Sequence, residues 1–534
     1  MAIVKNIVKK NFYRDSVQLL HISEELKKLD GVANAAIVMG TELNKELLRK
    51  EGLLADEGLN ASDSDMIIAV AAVDDESLER ALEKAEELIK GGAGTGEEYY
   101  YSLELALKSV PEANLITVSV PGEHAKQVVM EGLRRGLHAF VFSDHVPVED
   151  ELEMKKYAYE RGLLVMGPGA GTALINGVAL GFGNAVPKGP IGLVAAAGTG
   201  LQEVSVLISR IGLGVSQGIG VGGNDVKKPV NGIMTLLALE ALDRDEQTRI
   251  IGIISKPPHP EVQERIIRFT EANVKKPVIA CFIGGKPFKS DRIVFSPTLH
   301  SAALSLARAY SENLYIEARK RISIHPNDLM RIADRERSRL ERGQRYVRGL
   351  YTGGTLTYES MVILGDTIGP IYSNAPLREE YRLLDSNRSI KHTLIDMGEE
   401  EFTHGRPHPM IDPTLRSMRI VEEAKDPETA VILLDFVLGY GAHPDPVGGH
   451  VDAIKEAYRI AADSGRHLTI IAHVAGVEGD PQDYNEQVEK LQGLGVIVMP
   501  TNALAALLAA LIVSEGIGYE ALVSFYRRYL GEEV

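Results

Sequence analysis

From about Ala33 onward, short runs of apolar and largely β-branched residues alternate with amphipathic stretches of helical length. Strands covered on both faces read as nearly unbroken apolar runs, and their alternation with helices is how parallel α/β sheets are written. The pattern predicts strands at residues 35–39 (AAIVM), 66–73 (MIIAVAAV), 115–120 (LITVSV), 139–143 (AFVFS) and 163–167 (LLVMG), separated by helices such as DESLERALEKAEELIK. Together they describe an N-terminal Rossmann-like domain over residues 1–185. The turn formers of GNAVPKG, residues 183–189, mark its end.

A second strand–helix set begins at Pro190 and is assigned residues 186–315. It runs through IGLVAAAG (191–198), SQGIGVGG (216–223), IIGIISK (250–256) and PVIACFIGG (277–285). Residues 316–348 read as a helical connector. Within it, residues 317–348 carry ten Lys/Arg against five Asp/Glu, which suits a solvated face. A third set, residues 349–534, repeats the order of the second. AAAGTGLQE (195–203) corresponds to YTGGTLTYE (351–359), each with a Gly-Thr step after an apolar strand and a glutamate four residues past the threonine. IIGIISKPPHPE likewise corresponds to VILLDFVLGYGAHPDP, and PVIACFIGG to LTIIAHVAG, so the two sets are expected to be an internal duplication packed as a pseudo-dimer.

Composition narrows the classes of function. A chain of 534 residues with 45% hydrophobic and 25% charged side chains is ordinary globular material for about three domains. Its net charge of −16 would repel phosphate backbones and anionic lipid, so neither nucleic acid nor membrane is expected as a partner. The longest apolar stretch, residues 503–513, is too short to span a bilayer and reads as a buried helix. MAIVKNIVKKNF has no apolar core of secretory length, and one cysteine, Cys281, suits a reducing compartment. The cytoplasm is the expected location.

The two Gly-Thr turns carry the strongest chemical signal. Each sits where a strand ends and a helix begins, with backbone amides facing outward and roughly half a positive charge at the helix end. Gly198, Thr199 and Gly200 would form one phosphate cradle, and Gly353, Gly354 and Thr355 the other. The plainer alternative is that these residues only cap their helices. A second candidate is the loop THGRPHPMIDPTLR, residues 403–416. There Arg406 could grip a carboxylate or phosphate, His408 could exchange a proton, and Asp412 completes the candidate catalytic set, with Arg416 on the substrate. Lys256 could neutralise a bound anion, and Asn224 lies in the glycine-rich GVGGND. His300 reads as structural and Cys281 as a buried inert thiol. No His/Asp/Glu set has the spacing of a metal site.

At these residues the chain resembles the succinyl-CoA synthetase superfamily, and more closely its FdrA family of acyl-CoA-synthetase-like proteins. LLVMGPGAGTALING resembles the end of the superfamily's CoA-binding domain, and VGGNDVKKPVNG and GGTLTYE its ligase-domain motifs. DMGEEEFTHGRPHPMIDPTLR with LLDFVLGYGAHPDP resembles the FdrA version of the β-subunit ligase domain, so both subunit halves are fused in one chain. The resemblance implies an α/β fold: a Rossmann-like CoA-binding-type domain followed by two flavodoxin-like ligase-CoA-type domains. It also implies that helix N-termini from the two halves hold a phosphoryl group. Three features depart from the superfamily pattern. FSPTLHSAA with His300 stands where a phosphohistidine GHAGA segment belongs, the supporting glutamate would fall at Ser255 to Lys256, and the glycine-rich CoA loop is reduced to Gly40. An ATP-grasp domain is not visible.

Three functions follow from the resemblance and the residues together. The first is phosphate-linked acyl transfer of the acyl-CoA synthetase type, with coenzyme A as candidate cofactor and nucleotide activation on a partner. The second is a subunit of an oxamate carbamoyltransferase in allantoin breakdown, with carbamoyl phosphate between the helix N-termini and Arg406 on the acceptor's carboxylate. The third is a non-catalytic scaffold or regulatory subunit. All three expect a small phosphate-bearing ligand, further protein subunits and a homo-oligomer, and no resident metal.

Overall fold

The apolar runs at residues 35–39 and 66–73 sit side by side, but antiparallel. In the computed structural model, which describes residues 2–90, 100, 102–514 and 516–532, β1 (Ile3–Lys9), β2 (Val32–Met39) and β3 (Met66–Ala72) form a three-stranded sheet in the order β1-β3-β2. Ile3 pairs with Ala72 on one side, and Met39 pairs with Met66 on the other. This corrects the Rossmann-like expectation for the first part of the chain. The central strand misled because both its faces are covered. Met66, Ile68 and Val70 pack under helices Ser16–Lys27 and Asp75–Lys90, while Ile67, Ala69 and Ala71 pack against Leu48, Leu53 and Ala61 on the other face. A fully buried antiparallel strand and a parallel one then carry the same apolar run.

The chain divides into two compact units. The first is built from residues 1–101 with 398–412, and the second from residues 102–397 with 413–534. In the second, β4 (Leu115–Val118), β5 (His138–Val141) and β6 (Val165–Met166) form a small parallel sheet. The hairpin β7 (Thr172–Ile175) and β8 (Val178–Gly181) extends a larger sheet built on β9 (Lys188–Ala196), β10 (Val215–Gly220), β11 (Ile250–Ser255), β12 (Val278–Phe282) and β13 (Ile293–Phe295). Phe140 and Met166 of the small sheet share one core with Val194 and Ile219 of the larger. A third, wholly parallel sheet contains β14 (Tyr346–Tyr351), β15 (Thr393–Asp396), β16 (Thr429–Val437), β17 (Thr469–Ala475) and β18 (Ile497–Met499).

The two larger sheets share one strand order. Numbered from its Gly-Thr strand, the parallel part of each runs 2-1-3-4-5: β10-β9-β11-β12-β13 and β15-β14-β16-β17-β18. This is the flavodoxin-like arrangement, whose ligand crevice lies beyond the carboxyl ends of strands 1 and 3. The predicted connector is less detached than its charge suggested. Leu329 and Ala333 of helix Pro326–Arg337 are buried, and Arg337 donates to the carbonyls of Leu511 and Ile512 in helix Asn502–Val513. That last helix is buried along its length, as its unbroken apolar sequence requires. No helix among the described residues is long and apolar enough to cross a membrane.

Candidate functional site

Both Gly-Thr turns lie at the switch points of their sheets, and the second unit brings them into contact. Helices Gly198–Arg210 and Gly354–Ile368 begin there, and neither has a side-chain cap at its N-cap residue, Ala197 or Gly353. Thr199 instead reaches across, its Oγ1 accepting from the Thr355 N–H at 3.2 Å. Glycine is required by the approach: a Cβ on Gly200 would stand 2.8 Å from Thr355 Cγ2, and one on Gly353 would stand 3.1 Å from Thr199 Cβ. Thr355 is fully buried, and its Oγ1 has no hydrogen-bond partner among the described residues. Lys256, at the end of β11, lies beside the second turn. A Cβ on Gly354 would stand 2.9 Å from its Nζ and 2.3 Å from Asp396 Oδ2.

The second turn carries an internal anion. The buried Asp435 carboxylate on β16 accepts from Thr352 N–H (2.7 Å), Gly353 N–H (2.7 Å) and Thr352 Oγ1 (3.0 Å). Arg416 holds Asp435 from behind, NH1 donating to its Oδ1 at 2.9 Å and to its carbonyl at 2.5 Å. The Arg416 Nε donates to His450 Nε2 at 2.9 Å, and burial keeps that imidazole well below its usual range, so the ring accepts. Arg416, expected on the substrate, is therefore a buried strut for the turn. Asp435 was missed, although an aspartate inside the apolar run VILLDFV was a visible signal.

One helical turn below the threonines, the paired glutamates lie buried beneath the site. Glu203 Oε2 meets His473 Nε2 at 2.8 Å. Glu359 accepts from Leu299 N–H at 2.7 Å and from Asn502 Nδ2 at 2.8 Å. Burial raises the Glu359 carboxyl to about 7, nearby Glu203 adding to the effect while the Asn502 amide opposes it. Cys281 is buried too, and burial together with the Glu359 charge pushes its thiol up, away from reactivity.

Arg406, His408 and Asp412 fold with the first unit. Arg406 NH2 donates to Asp412 Oδ2 at 2.5 Å and NH1 to Asn44 Oδ1 at 3.2 Å, while His408 Nδ1 accepts from Met410 N–H at 3.2 Å. Gly405 carries a φ of 69°, and a Cβ there would stand 2.9 Å from Thr41 Cγ2, which locks the loop onto that unit. Asn224 donates to Glu151 at 3.0 Å beside a buried Lys155–Asp225 ion pair that pins the glycine-rich loop. His300 is buried between Thr501 (3.0 Å) and Glu532 (3.2 Å). Among the described residues no three His, Cys, Asp or Glu side chains gather as a metal site would need.

Comparison with known proteins bears on both units. A CoA-ligase family matches residues 350–512, and a family described as AllF, heavy metal-associated domain, matches residues 1–100, the region of the antiparallel sheet. The uncharacterized protein YahF of Escherichia coli strain K12 is 44% identical over 520 residues, covering 96% of this chain and 99% of YahF. The alpha subunit of ADP-forming succinate–CoA ligase from Staphylococcus epidermidis strain ATCC 12228 is 29% identical over 202 residues, 37% of this chain and 65% of that subunit. A solved dinucleotide-forming acetyl-coenzyme A synthetase 1 from Ca. Korarchaeum cryptofilum, in complex with phosphate and ADP, is 18% identical, with a TM-score of 0.29 over 82% of this chain and 88% of that one.

Proposed function

The chain belongs to the family of the Escherichia coli protein YahF, and from that premise we propose that it is an FdrA-type, acyl-CoA-synthetase-like protein that transfers an acyl group by way of its phosphate. One observation carries the reading. Two helix N-termini without side-chain caps meet through the Thr199–Thr355 hydrogen bond, around a buried threonine hydroxyl that has no partner among the described residues. A phosphate there would take the Thr355 hydroxyl and the first-turn amides of Gly198, Thr199 and Gly200, with the Lys256 charge alongside. The shared strand order of the two sheets supports descent of both halves from one ligase-type domain.

In the transfer, an acceptor nucleophile bonds to the acyl carbon as the bond from that carbon to the phosphate oxygen breaks, and the acceptor's proton passes to the departing phosphate. The phosphate leaves with the electron pair. Fixed amides and a lysine stabilise that developing charge without reorganising, which is where electrostatic catalysis gains most. Coenzyme A is the acceptor that the CoA-ligase match suggests. Gly40, where the sequence retains a remnant of the CoA loop, does not fit a ligand cradle: it follows an antiparallel strand, and a Cβ there would meet the Ser62 carbonyl at 2.5 Å. The phosphate site is therefore what holds the acyl phosphate, with activation of the acyl group on a partner subunit.

Calorimetric titration of the full chain at constant ionic strength, with acetyl phosphate, carbamoyl phosphate and coenzyme A in turn, tests this reading. Binding of acetyl phosphate and of coenzyme A is expected. Binding of carbamoyl phosphate alone would replace acyl transfer by carbamoyl transfer, and heat from none of the three would remove the phosphate site.

A further inference from the structure

At the opposite end of the third sheet, away from the strand ends that carry the Gly-Thr turns, lies a cavity of about 630 Å³. Its floor is the start of β17 and the residues leading into β18, and its rim includes Arg335, Arg339, Arg466, His467, Glu336 and Tyr458. A volume of this order matches ordinary small-molecule sites, which combine apolar walls with a few converging polar groups. The apolar walls here are alanine, leucine and isoleucine side chains.

The charge of this cavity runs against that of the chain. Three arginines face one carboxylate on a molecule whose net charge is −16. Glu336 is buried and organises the rim, accepting from His467 Nε2 at 2.8 Å and from Arg335 Nε at 2.9 Å, with Arg339 NH1 at 3.6 Å. Arg466 is committed to structure, donating to the carbonyls of Ala424 (2.7 Å) and Asp426 (3.0 Å). Arg335 and Arg339 are not so committed. Their side chains are 64% and 57% exposed, Glu336 is the acid that each meets, and the terminal nitrogens of Arg335 make no hydrogen bond to a described residue. A buried acid thus holds one edge of an exposed arginine pair that lines the cavity, an arrangement suited to phosphate oxygens. Tyr458 supplies an aromatic wall.

We propose that this cavity is a second ligand site, independent of the Gly-Thr turns, which binds an organic phosphate of nucleotide size: phosphates on Arg335 and Arg339, planar body against Tyr458 and the apolar wall. The basic bias of the 317–348 segment then has a use beyond solubility.

Adenosine diphosphate, which has both a planar body and a charged tail, is the probe, titrated into the full-length protein beside adenosine and pyrophosphate. The expected result is tighter binding of adenosine diphosphate than of either part, weakened at least tenfold in the Arg335→Ala/Arg339→Ala double variant and retained in part by the Arg335→Lys/Arg339→Lys variant. Both arginines are exposed, so neither variant is expected to unfold the chain. Thr355→Val should leave this affinity unchanged, which separates the cavity from the turn site. Affinity unaffected by removing both arginines, loss of binding in Thr355→Val instead, or no heat with adenosine diphosphate at millimolar concentration would each overturn the proposal.

Discussion

The two Gly-Thr turns have the same sequence logic and different electrostatics. Val194 pairs with Ile253, and Leu350 pairs with Leu434, each five residues before the threonine of its turn. The next position on the neighbouring strand is Ile254 in one half and Asp435 in the other, both buried. The second turn therefore has a carboxylate on its amides, backed by Arg416, while the first has an isoleucine methyl against it. Two helix ends would together present about one positive charge, but Asp435 offsets much of the second end's share. An incoming phosphate is therefore served chiefly by the first turn, with Thr355 and Lys256 contributed from around the second.

The largest expected effect follows from breaking this asymmetry at Asp435. Asp435→Ala strands the Arg416 charge in the interior and leaves two amides unserved, so the chain should lose about 3–5 kcal/mol in urea unfolding. Ile254→Val, the matching change in the other half, should cost only about 0.5–1.5 kcal/mol. Equal losses at the two positions would show that the halves do not differ as described.

Next in size is a dependence on pH. Glu359 titrates near 7 in the folded chain against an ordinary 4.5. The folded state therefore binds the extra proton, and stability present below the lower value is lost as pH rises through the upper one. The span is about 3 kcal/mol. Glu359→Gln should flatten this slope between pH 5 and 8 and make the variant the more stable protein at pH 8. A wild-type profile that rises over that window would contradict the assignment.

Close packing between the turns gives a smaller effect. Gly200→Ala drives a methyl to within 2.8 Å of Thr355 Cγ2 and should cost about 1–3 kcal/mol, whereas Gly198→Ala finds its nearest atom at 3.8 Å and should be tolerated in thermal melts. The smallest is Thr199→Val, which removes one hydrogen bond and should cost about 1 kcal/mol.

Which parts of this were legible in the sequence follows from periodicity. The Gly-Thr turns and the later strands were readable because a parallel strand, a glycine and an amphipathic helix leave distinct signatures in order. The first domain was not, because β3 is apolar on both faces and β1, with lysine and asparagine among its apolar residues, lies outside the pattern that begins at about Ala33. Pairing direction leaves no mark in such runs. Among the site candidates, Arg416 was noticed for its charge and placed on the wrong side: nothing local distinguishes an arginine that meets a ligand from one that braces a buried aspartate 19 residues later. Arg406 and Asp412, close in sequence, meet in an ion pair, yet Asn44, the other partner of Arg406, is 362 residues away, a separation at which sequence spacing carries no information.

If the two turns form one anion site, acetyl phosphate binding must depend on the Thr355 hydroxyl, and the Thr355→Val chain decides this. The substitution keeps the shape and removes a buried hydroxyl that has no partner among the described residues, so the melting temperature should hold or rise slightly. Calorimetry should then show acetyl phosphate bound by the wild-type chain and weakened at least tenfold in the variant. Equal affinity in two equally stable proteins would contradict the account.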